Sequence, residues 1–150
     1  MKKVVKFGGS SLASAEQFQK VGKIIRQEES RRYVVPSAPG KRFPKDTKVT
    51  DMLYSCYHLA IQEKKFEAEL TEIKDRFQEI IDGLQLDLSL EGEFKVIREN
   101  FSKKIGRDYA ASRGEYLNSL IMADYLGYEF IDAAEVIFFD ENGNFDGAKT

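Results

Sequence analysis

Residues 1–14 read MKKVVKFGGSSLAS, and this stretch decides the fold of the chain. The run VVKF at residues 4–7 is rich in β-forming residues and predicts a strand buried in an α/β core. The adjacent glycines Gly8 and Gly9 permit a tight turn whose N–H groups can approach a ligand closely. A strand, a glycine turn and a helix entrance in this order favour the binding of an anion.

The residues after the turn predict a β-α-β unit. Ser14 precedes Gln17 at the spacing of a capping box, and apolar residues then recur at helical spacing as far as residue 29. A second strand follows at Arg31–Pro36, and it is expected to be parallel to the first because a helix intervenes. Ligands of such sheets lie beyond the carboxyl ends of the strands, which places the glycine turn and Ser37 on one rim.

Two common phosphate-binding loops do not match this sequence. The dinucleotide motif needs three spaced glycines, whereas only the pair Gly8-Gly9 is present. The P-loop needs Gly-Lys followed by Ser or Thr, but Lys6 precedes the glycines and Gly40-Lys41 is followed by Arg42. The residues alone leave two interpretations open: an anion site, or a glycine turn with Lys6 in solvent.

Length and composition are typical of one globular domain. The chain has 150 residues, of which 42% are hydrophobic and 32% are charged, with a net charge of −2. This charge gives no basis for binding nucleic acid or an anionic membrane through bulk electrostatics. No apolar run approaches the roughly 20 residues of a membrane span. The single cysteine, Cys56, cannot form an internal disulfide, so we expect a cytoplasmic location.

The middle of the chain predicts three helices from apolar residues at helical spacing. These stripes cover residues 49–60, 66–84 and 94–105. The helices could form a lid-like or dimer-forming insertion. Apolar stripes more often belong to a core, so we predict that they pack on one another and on the sheet.

The last part of the chain predicts a helix and two strands. The helix covers Tyr109–Leu126 and ends at Gly127, as helices commonly end at a glycine. Strands are predicted at Tyr128–Ile131 and Val136–Phe139, with a turn at residues 140–144.

Residues 41–48 form a basic loop that contains a proline. Lys41, Arg42, Lys45 and Lys48 outnumber the one acid, Asp46. The loop could lie beside a phosphate-binding cleft. The alternative, a solvated loop, is favoured because connecting segments are exposed and charged by default.

Three motifs occur in order along the chain. The first is KFGGSS at Lys6–Ser11, and the second is VVPSAPGK at Val34–Lys41, with TDML following at Thr50–Leu53. The third is SRGE at Ser112–Glu115. Together they resemble the aspartate kinases, within the amino-acid-kinase superfamily, over essentially the whole chain.

The resemblance implies the fold and the extent of the domain. It implies an α/β fold, the αβα layered sandwich of the amino-acid-kinase (carbamate-kinase-like) type, of which residues 1–150 form the N-terminal portion with a helical segment. The nucleotide-holding C-terminal half and the ACT-type regulatory domains of the family would be absent. We therefore expect the chain to be inactive on its own.

The resemblance also implies a reaction. Aspartate kinases use ATP and Mg²⁺ to phosphorylate the β-carboxylate of L-aspartate to 4-phospho-L-aspartate, the first step of lysine, threonine and methionine biosynthesis, and they form homodimers. A side-chain carboxylate with a pKa of about 3.9 is already ionised at neutral pH, so no general base is needed. Catalysis then depends on positioning and on charge stabilisation.

By the same resemblance, Lys6 is the catalytic residue that contacts the phosphates of the nucleotide. The residues expected to bind phosphate are Lys6, Phe7, Gly8, Gly9 and Ser10. A lysine supplies a compact charge with three donors, and the turn supplies backbone N–H groups and a hydroxyl.

On the substrate side, Glu115 matches the family's glutamate for the ammonium group of aspartate. Ser37 and Thr50 match residues that hydrogen-bond the substrate, although each could be a cap or a turn residue, and Thr47 is a weaker competitor for Thr50. Ser112 and Glu115 also have the spacing of a capping box, which gives Glu115 a purely structural alternative. We predict no protein ligands for a metal.

Other functions stay open at this point. The chain could belong to a different amino-acid kinase, such as a glutamate or acetylglutamate kinase, or be a non-catalytic anion-binding module or an interaction fragment. His58 has no nucleophile or metal ligands near it in sequence, so we interpret it as structural or surface. Cys56 lies on an apolar helix face and is interpreted as a small buried hydrophobe.

Overall fold

The structure is a computed structural model that describes residues 1–150. It contains two strands and six helices, with a short 3-10 turn at Gly9–Leu12 after the first strand. The elements are β1 Lys3–Phe7, α1 Ala15–Arg26, β2 Arg31–Pro36, α2 Val49–Ile61, α3 Glu67–Gly83, α4 Glu91–Ser102, α5 Arg107–Leu126 and α6 Ala133–Val136.

The predicted β-α-β unit is confirmed. β1 and β2 are parallel neighbours, with Lys6 opposite Val35 in the register. The Ser14 hydroxyl accepts the Gln17 N–H at 3.4 Å, which begins α1 as the sequence predicted. α1 ends at Arg26, before the predicted limit of residue 29, because the chain already turns back there into β2.

The strand predicted at residues 4–7 forms, but only one of its faces packs on the core. Side chains alternate across a strand, and the helices cover only one face of this two-stranded sheet. Val5, Phe7 and Val34 pack on the helical core. Val4 and Val35 point to the opposite face and are 68% and 47% exposed. Lys6 lies on this open face as well.

The helical stripes form the core, which confirms that the middle helices pack on one another. A single cluster of 23 buried residues joins α1 to α5, and its largest side chains include Phe18, Phe77 and Phe101. The stripe predicted to reach residue 105 is shorter, since α4 ends at Ser102 and Ile105 is 53% exposed. Lys104 adopts a positive φ of 55° there and turns the chain away.

The C-terminal region differs from its prediction. Gly127 ends α5 in the left-handed conformation with φ 69°, as expected. None of the helices of the chain is both long enough and apolar enough to span a membrane. The strands predicted at 128–131 and 136–139 do not form. The Asp132 carboxylate accepts the Ala134 N–H and begins α6 instead, and the one β-bridge joins Phe139 to Phe145 across the predicted turn. Without a neighbouring strand, these apolar residues have no ladder partner.

Candidate active site

The glycine turn after β1 lies in direct backbone contact with the loop after β2. The Gly40 N–H donates to the Gly9 carbonyl at 2.8 Å. A side chain at Gly40 would place its Cβ 2.6 Å from the Gly9 carbonyl carbon, and one at Gly9 would stand 2.9 Å from the Ala38 carbonyl oxygen. Only glycine permits these two segments to approach so closely.

A cavity of about 470 Å³ opens beside this contact. Its lining includes Gly9 and Ser10 of the turn, the loop from Ser37 to Lys41, Lys48, Thr50 and Glu115. The cavity therefore lies beyond the carboxyl ends of both strands, where ligands of parallel sheets bind. The prediction that the glycine turn and Ser37 share one rim is confirmed.

Glu115 reaches the cavity from α5. The preceding residue, Gly114, is buried against the loop, and a Cβ there would stand 2.7 Å from the Cβ of Ala38. Because α5 begins at Arg107, Gly114 and Glu115 lie inside the helix, in agreement with the helix predicted over Tyr109–Leu126. The alternative capping box of Ser112 and Glu115 is excluded for the same reason.

Ser37 and Thr50 enter the cavity from two different segments. The Ser37 N–H continues the strand pairing by donating to the Phe7 carbonyl at 3.1 Å. Thr50 lies in the first turn of α2, and no side chain caps that helix at Lys48. The Val49 N–H donates to the Pro39 carbonyl at 3.1 Å, whereas the next two amides, of Thr50 and Asp51, are open to a ligand at the positive end of the helix dipole. Thr47, the weaker competitor, lines a different cavity.

The basic loop divides between two roles. Lys41 and Lys48 line the cavity. Arg42 instead pairs with Asp46 at 2.8 Å and with Glu79 at 2.9 Å. The Asp46 carboxylate has a pKa well below its usual range, chiefly because the Arg42 side chain donates a hydrogen bond to it. Residues 41–45, 47 and 48 are exposed, as predicted for a solvated loop, and two of its lysines also line the cavity.

The predicted phosphate-binding residues are only partly together. Gly9 and Ser10 line the cavity, whereas Lys6, Phe7 and Gly8 do not. Phe7 packs on the core, and Gly8 precedes the 3-10 turn in open surroundings. Lys6 is exposed on the open face of the sheet, close in sequence to the turn but outside the cavity.

Sequence reasoning missed two buried polar side chains that hold the cavity loop. Arg76 of α3 is 5% exposed and Asn118 of α5 is fully buried. The Asn118 amide donates to the Ser37 carbonyl at 2.7 Å. Both interrupt apolar stripes at helical spacing, Arg76 between Ile73 and Ile80, and a polar residue on a buried face was the available signal.

The two residues judged non-catalytic lie away from the cavity. Cys56 is fully buried, and burial raises its thiol pKa to about 12, which agrees with a small buried hydrophobe. His58 is exposed in the last turn of α2, with its ring 2.9 Å from the Gln62 side-chain amide. The chain has no cluster of three or more His, Cys, Asp or Glu side chains able to hold a metal ion.

The fold is that of a known family of proteins. The profile of the amino acid kinase family matches residues 1–148, so the chain belongs to that family. This membership confirms the predicted α/β fold.

Within that family, the chain is similar to aspartokinases. It is 34% identical to aspartokinase 3 of Bacillus subtilis, over 89% of this chain and 31% of that protein. The crystal structure of Clostridium acetobutylicum aspartate kinase superposes with a TM-score of 0.94 at 49% identity, over 99% of this chain and 35% of that one. Aspartokinase III of E. coli, crystallised with aspartate and ADP, shares the fold, with a TM-score of 0.75 at 18% identity over 99% of this chain and 36% of that one. The chain thus spans about a third of the length of these relatives.

Proposed function

We propose that the protein to which this chain belongs is an aspartate kinase, and that residues 1–150 are the N-terminal portion of its catalytic domain. It would transfer the γ-phosphoryl group of ATP to the β-carboxylate of L-aspartate, at the start of lysine, threonine and methionine biosynthesis. One observation carries this proposal. Ser37 and Thr50, from the second motif, and Glu115, from the third, line one cavity together with the glycine turn.

The cavity has the charges that aspartate needs. Glu115 is the one acid in its lining and would pair with the substrate ammonium. Lys41, Lys48 and the open first turn of α2 offer positive charge and donors to the two carboxylates. The hydroxyls of Ser37 and Thr50 would orient the substrate between them. The similarity to named aspartokinases supports the choice of aspartate over another amino acid.

The phosphates of ATP would lie across the glycine turn. Gly9 and Ser10 line the cavity and would offer backbone N–H groups and a hydroxyl, and Lys6 would reach the phosphates from the open face of the sheet. Phe7 and Gly8 would set the path of the backbone between them. Because Lys6 does not line the cavity, its contact with the phosphates would require the nucleotide to extend past the edge of the sheet.

The reaction then needs alignment rather than proton transfer. A β-carboxylate oxygen of aspartate attacks the γ-phosphorus while the bond to the bridging oxygen breaks, and ADP leaves with that electron pair. The products are an acyl phosphate and ADP, with no covalent enzyme intermediate. Mg²⁺ bound together with the nucleotide would neutralise charge on the phosphates.

The remaining parts of the proposal concern the whole protein. We expect a cytoplasmic enzyme that forms a homodimer. We also expect residues 1–150 to be inactive alone, since they span 31% of the length of the B. subtilis relative and the nucleotide needs further contacts.

A coupled assay of ADP release by the full-length gene product tests the function. We expect ADP formation with Mg·ATP and L-aspartate, and a loss of aspartate binding in Glu115→Gln that isothermal titration would detect. Glu99→Gln, an exposed acid on α4, is the matched control. No ADP with aspartate would refute the enzyme proposal, and aspartate binding unchanged in Glu115→Gln would refute the role of Glu115.

A further inference from the structure

The side chain of Arg76 is the only buried cation of the chain, and it lies on α3, outside the β-α-β unit. It extends from α3 into the loop after β2. Its guanidinium donates to the Gly40 carbonyl at 3.0 Å and to the Thr47 carbonyl at 3.0 Å. It also lies 3.3 Å from a carboxylate oxygen of Asp46.

These contacts fix both ends of the loop that forms one wall of the cavity. Gly40 is the residue whose N–H bonds the glycine turn at Gly9, and Lys41 follows it directly. Thr47 precedes Lys48, where α2 begins. The planar Arg76 guanidinium therefore holds the loop at Gly40, on the proposed phosphate side of the cavity, and at Thr47, on the proposed aspartate side.

The loop has few other means to keep this shape. Residues 41–45 and 47–48 are exposed, and they contain no strand or helix. Apart from the contacts of Arg76, their one ion pair with the rest of the molecule joins Arg42 to Glu79 of α3 and is accessible to solvent, since the pair of Arg42 with Asp46 lies within the loop. Exposed ion pairs contribute little, whereas buried hydrogen bonds from a cation are costly to lose.

We propose that Arg76 is a positioning residue of the candidate active site. Through the carbonyls of Gly40 and Thr47, it holds Lys41 and Lys48 where both substrates are received. The helix α3, which carries Arg76, thus determines the shape of the cavity without contacting a substrate. The kinetic part of this inference rests on the proposed function, and its structural part does not.

The test compares Arg76→Met and Arg76→Lys with wild type in the full-length protein. In Arg76→Met we expect KM for aspartate to rise about ten- to a hundredfold, with a smaller fall in kcat, because misplaced binding groups weaken capture of the substrate. Lysine keeps the charge but cannot bond both carbonyls in one plane, so Arg76→Lys should be intermediate. Arg98→Met is the control, since Arg98 is 60% exposed and lies 3.9 Å from its one partner, Glu67.

Hydrogen–deuterium exchange gives a readout independent of activity. We expect faster exchange in peptides covering residues 39–49, where the Gly40 and Val49 amides bond Gly9 and Pro39, and no change in residues 114–126 of α5. The proposal is overturned if Arg76→Met matches Arg98→Met in KM and loop exchange, or if exchange rises equally in α5. Should Arg76→Met not fold, Arg76→Lys decides by the same criteria. Wild-type protein without aspartate kinase activity would refute the function, while the exchange data would still decide the role of Arg76.

Discussion

Gly114 of α5 lies against Ala38 of the cavity loop so closely that a Cβ at position 114 would stand 2.7 Å from the Cβ of Ala38. Leu53 of α2 lies 3.4 Å from the same point. The glycine of the Gly114-Glu115 pair therefore has a packing role, and it allows the next residue to reach the cavity. Two adjacent positions of the motif thus have two roles: Gly114 packs against the cavity loop, and Glu115 is the acid proposed to bind the substrate.

We predict that Gly114→Ala destabilises the protein and weakens aspartate binding. The added methyl meets the short side chain of Ala38, which cannot move aside, so α5 and the loop must separate. Overpacking of this kind costs about 2 kcal/mol. The thermal unfolding midpoint and the KM for aspartate of the full-length protein measure the two effects. Gly92→Ala is the control, because a Cβ there meets nothing within 4 Å and alanine favours helix. Equal behaviour of the two variants would contradict the prediction.

Asn118 supports a second prediction about the cavity loop. In Asn118→Ala the Ser37 carbonyl loses the amide that donates to it at 2.7 Å, inside a fully buried site. We expect a loss of about 2 kcal/mol of stability and a raised KM for aspartate, because Ser37 is no longer fixed. Ser119→Ala, the neighbouring position on α5, should leave both unchanged. A raised KM in both variants would indicate a general effect on α5.

The parts of the fold that local sequence determines were predictable. The glycine turn and the Ser14 cap depend on neighbours within a few residues, and both are confirmed. The strand at Arg31–Pro36 is confirmed as well, and it has β1 beside it as a partner. The predicted strand at Val136–Phe139, with the sequence VIFF, is more apolar than β2, with the sequence RRYVVP, but does not form. A strand requires a partner, and nothing in a local pattern states whether one is adjacent.

The candidate site was predictable where motifs identified it and not where long-range hydrogen bonds shape it. The motifs assigned Ser37, Thr50 and Glu115 to the substrate side, and all three line one cavity. Arg76 and Asn118 donate hydrogen bonds to backbone carbonyls that lie 36 and 81 positions away in the sequence. Every residue has a backbone carbonyl, so the residue type does not identify the acceptor. The one sign of these two residues in the sequence is that each is a polar residue on a buried helix face.

Cys56 should be chemically inert in the folded protein. Burial raises its thiol pKa to about 12, so the thiolate fraction near pH 8 is about a thousandfold below that of an ordinary cysteine. We expect iodoacetamide to label the Cys56 peptide only after unfolding, as measured by mass spectrometry. Ser55→Cys places a thiol at an exposed position on the same helix and should label in the native state. Fast native labelling of Cys56 would show that this part of α2 opens readily.

Asp46 should make stability depend on pH in acid. Hydrogen bonds from Arg42 hold the carboxyl pKa below its usual range, so folding favours the ionised form. The resulting stabilisation is fully present above the unfolded pKa of about 3.9 and is lost as the pH falls through the lower folded value. We expect Asp46→Asn to lower the free energy of unfolding by about 2 kcal/mol near neutral pH, since the hydrogen bonds to a charged acceptor are weakened.

The difference between Asp46→Asn and wild type should stay constant from about pH 7 to about pH 5 and shrink below about pH 4, where wild type loses the same charge. Thermal unfolding midpoints of the full-length proteins across this range measure it. Asp87→Asn removes an exposed aspartate in the α3–α4 connection and should match wild type throughout. A difference for Asp46→Asn that persists undiminished below its folded pKa would mean that shape, rather than charge, links this residue to Arg42 and Arg76.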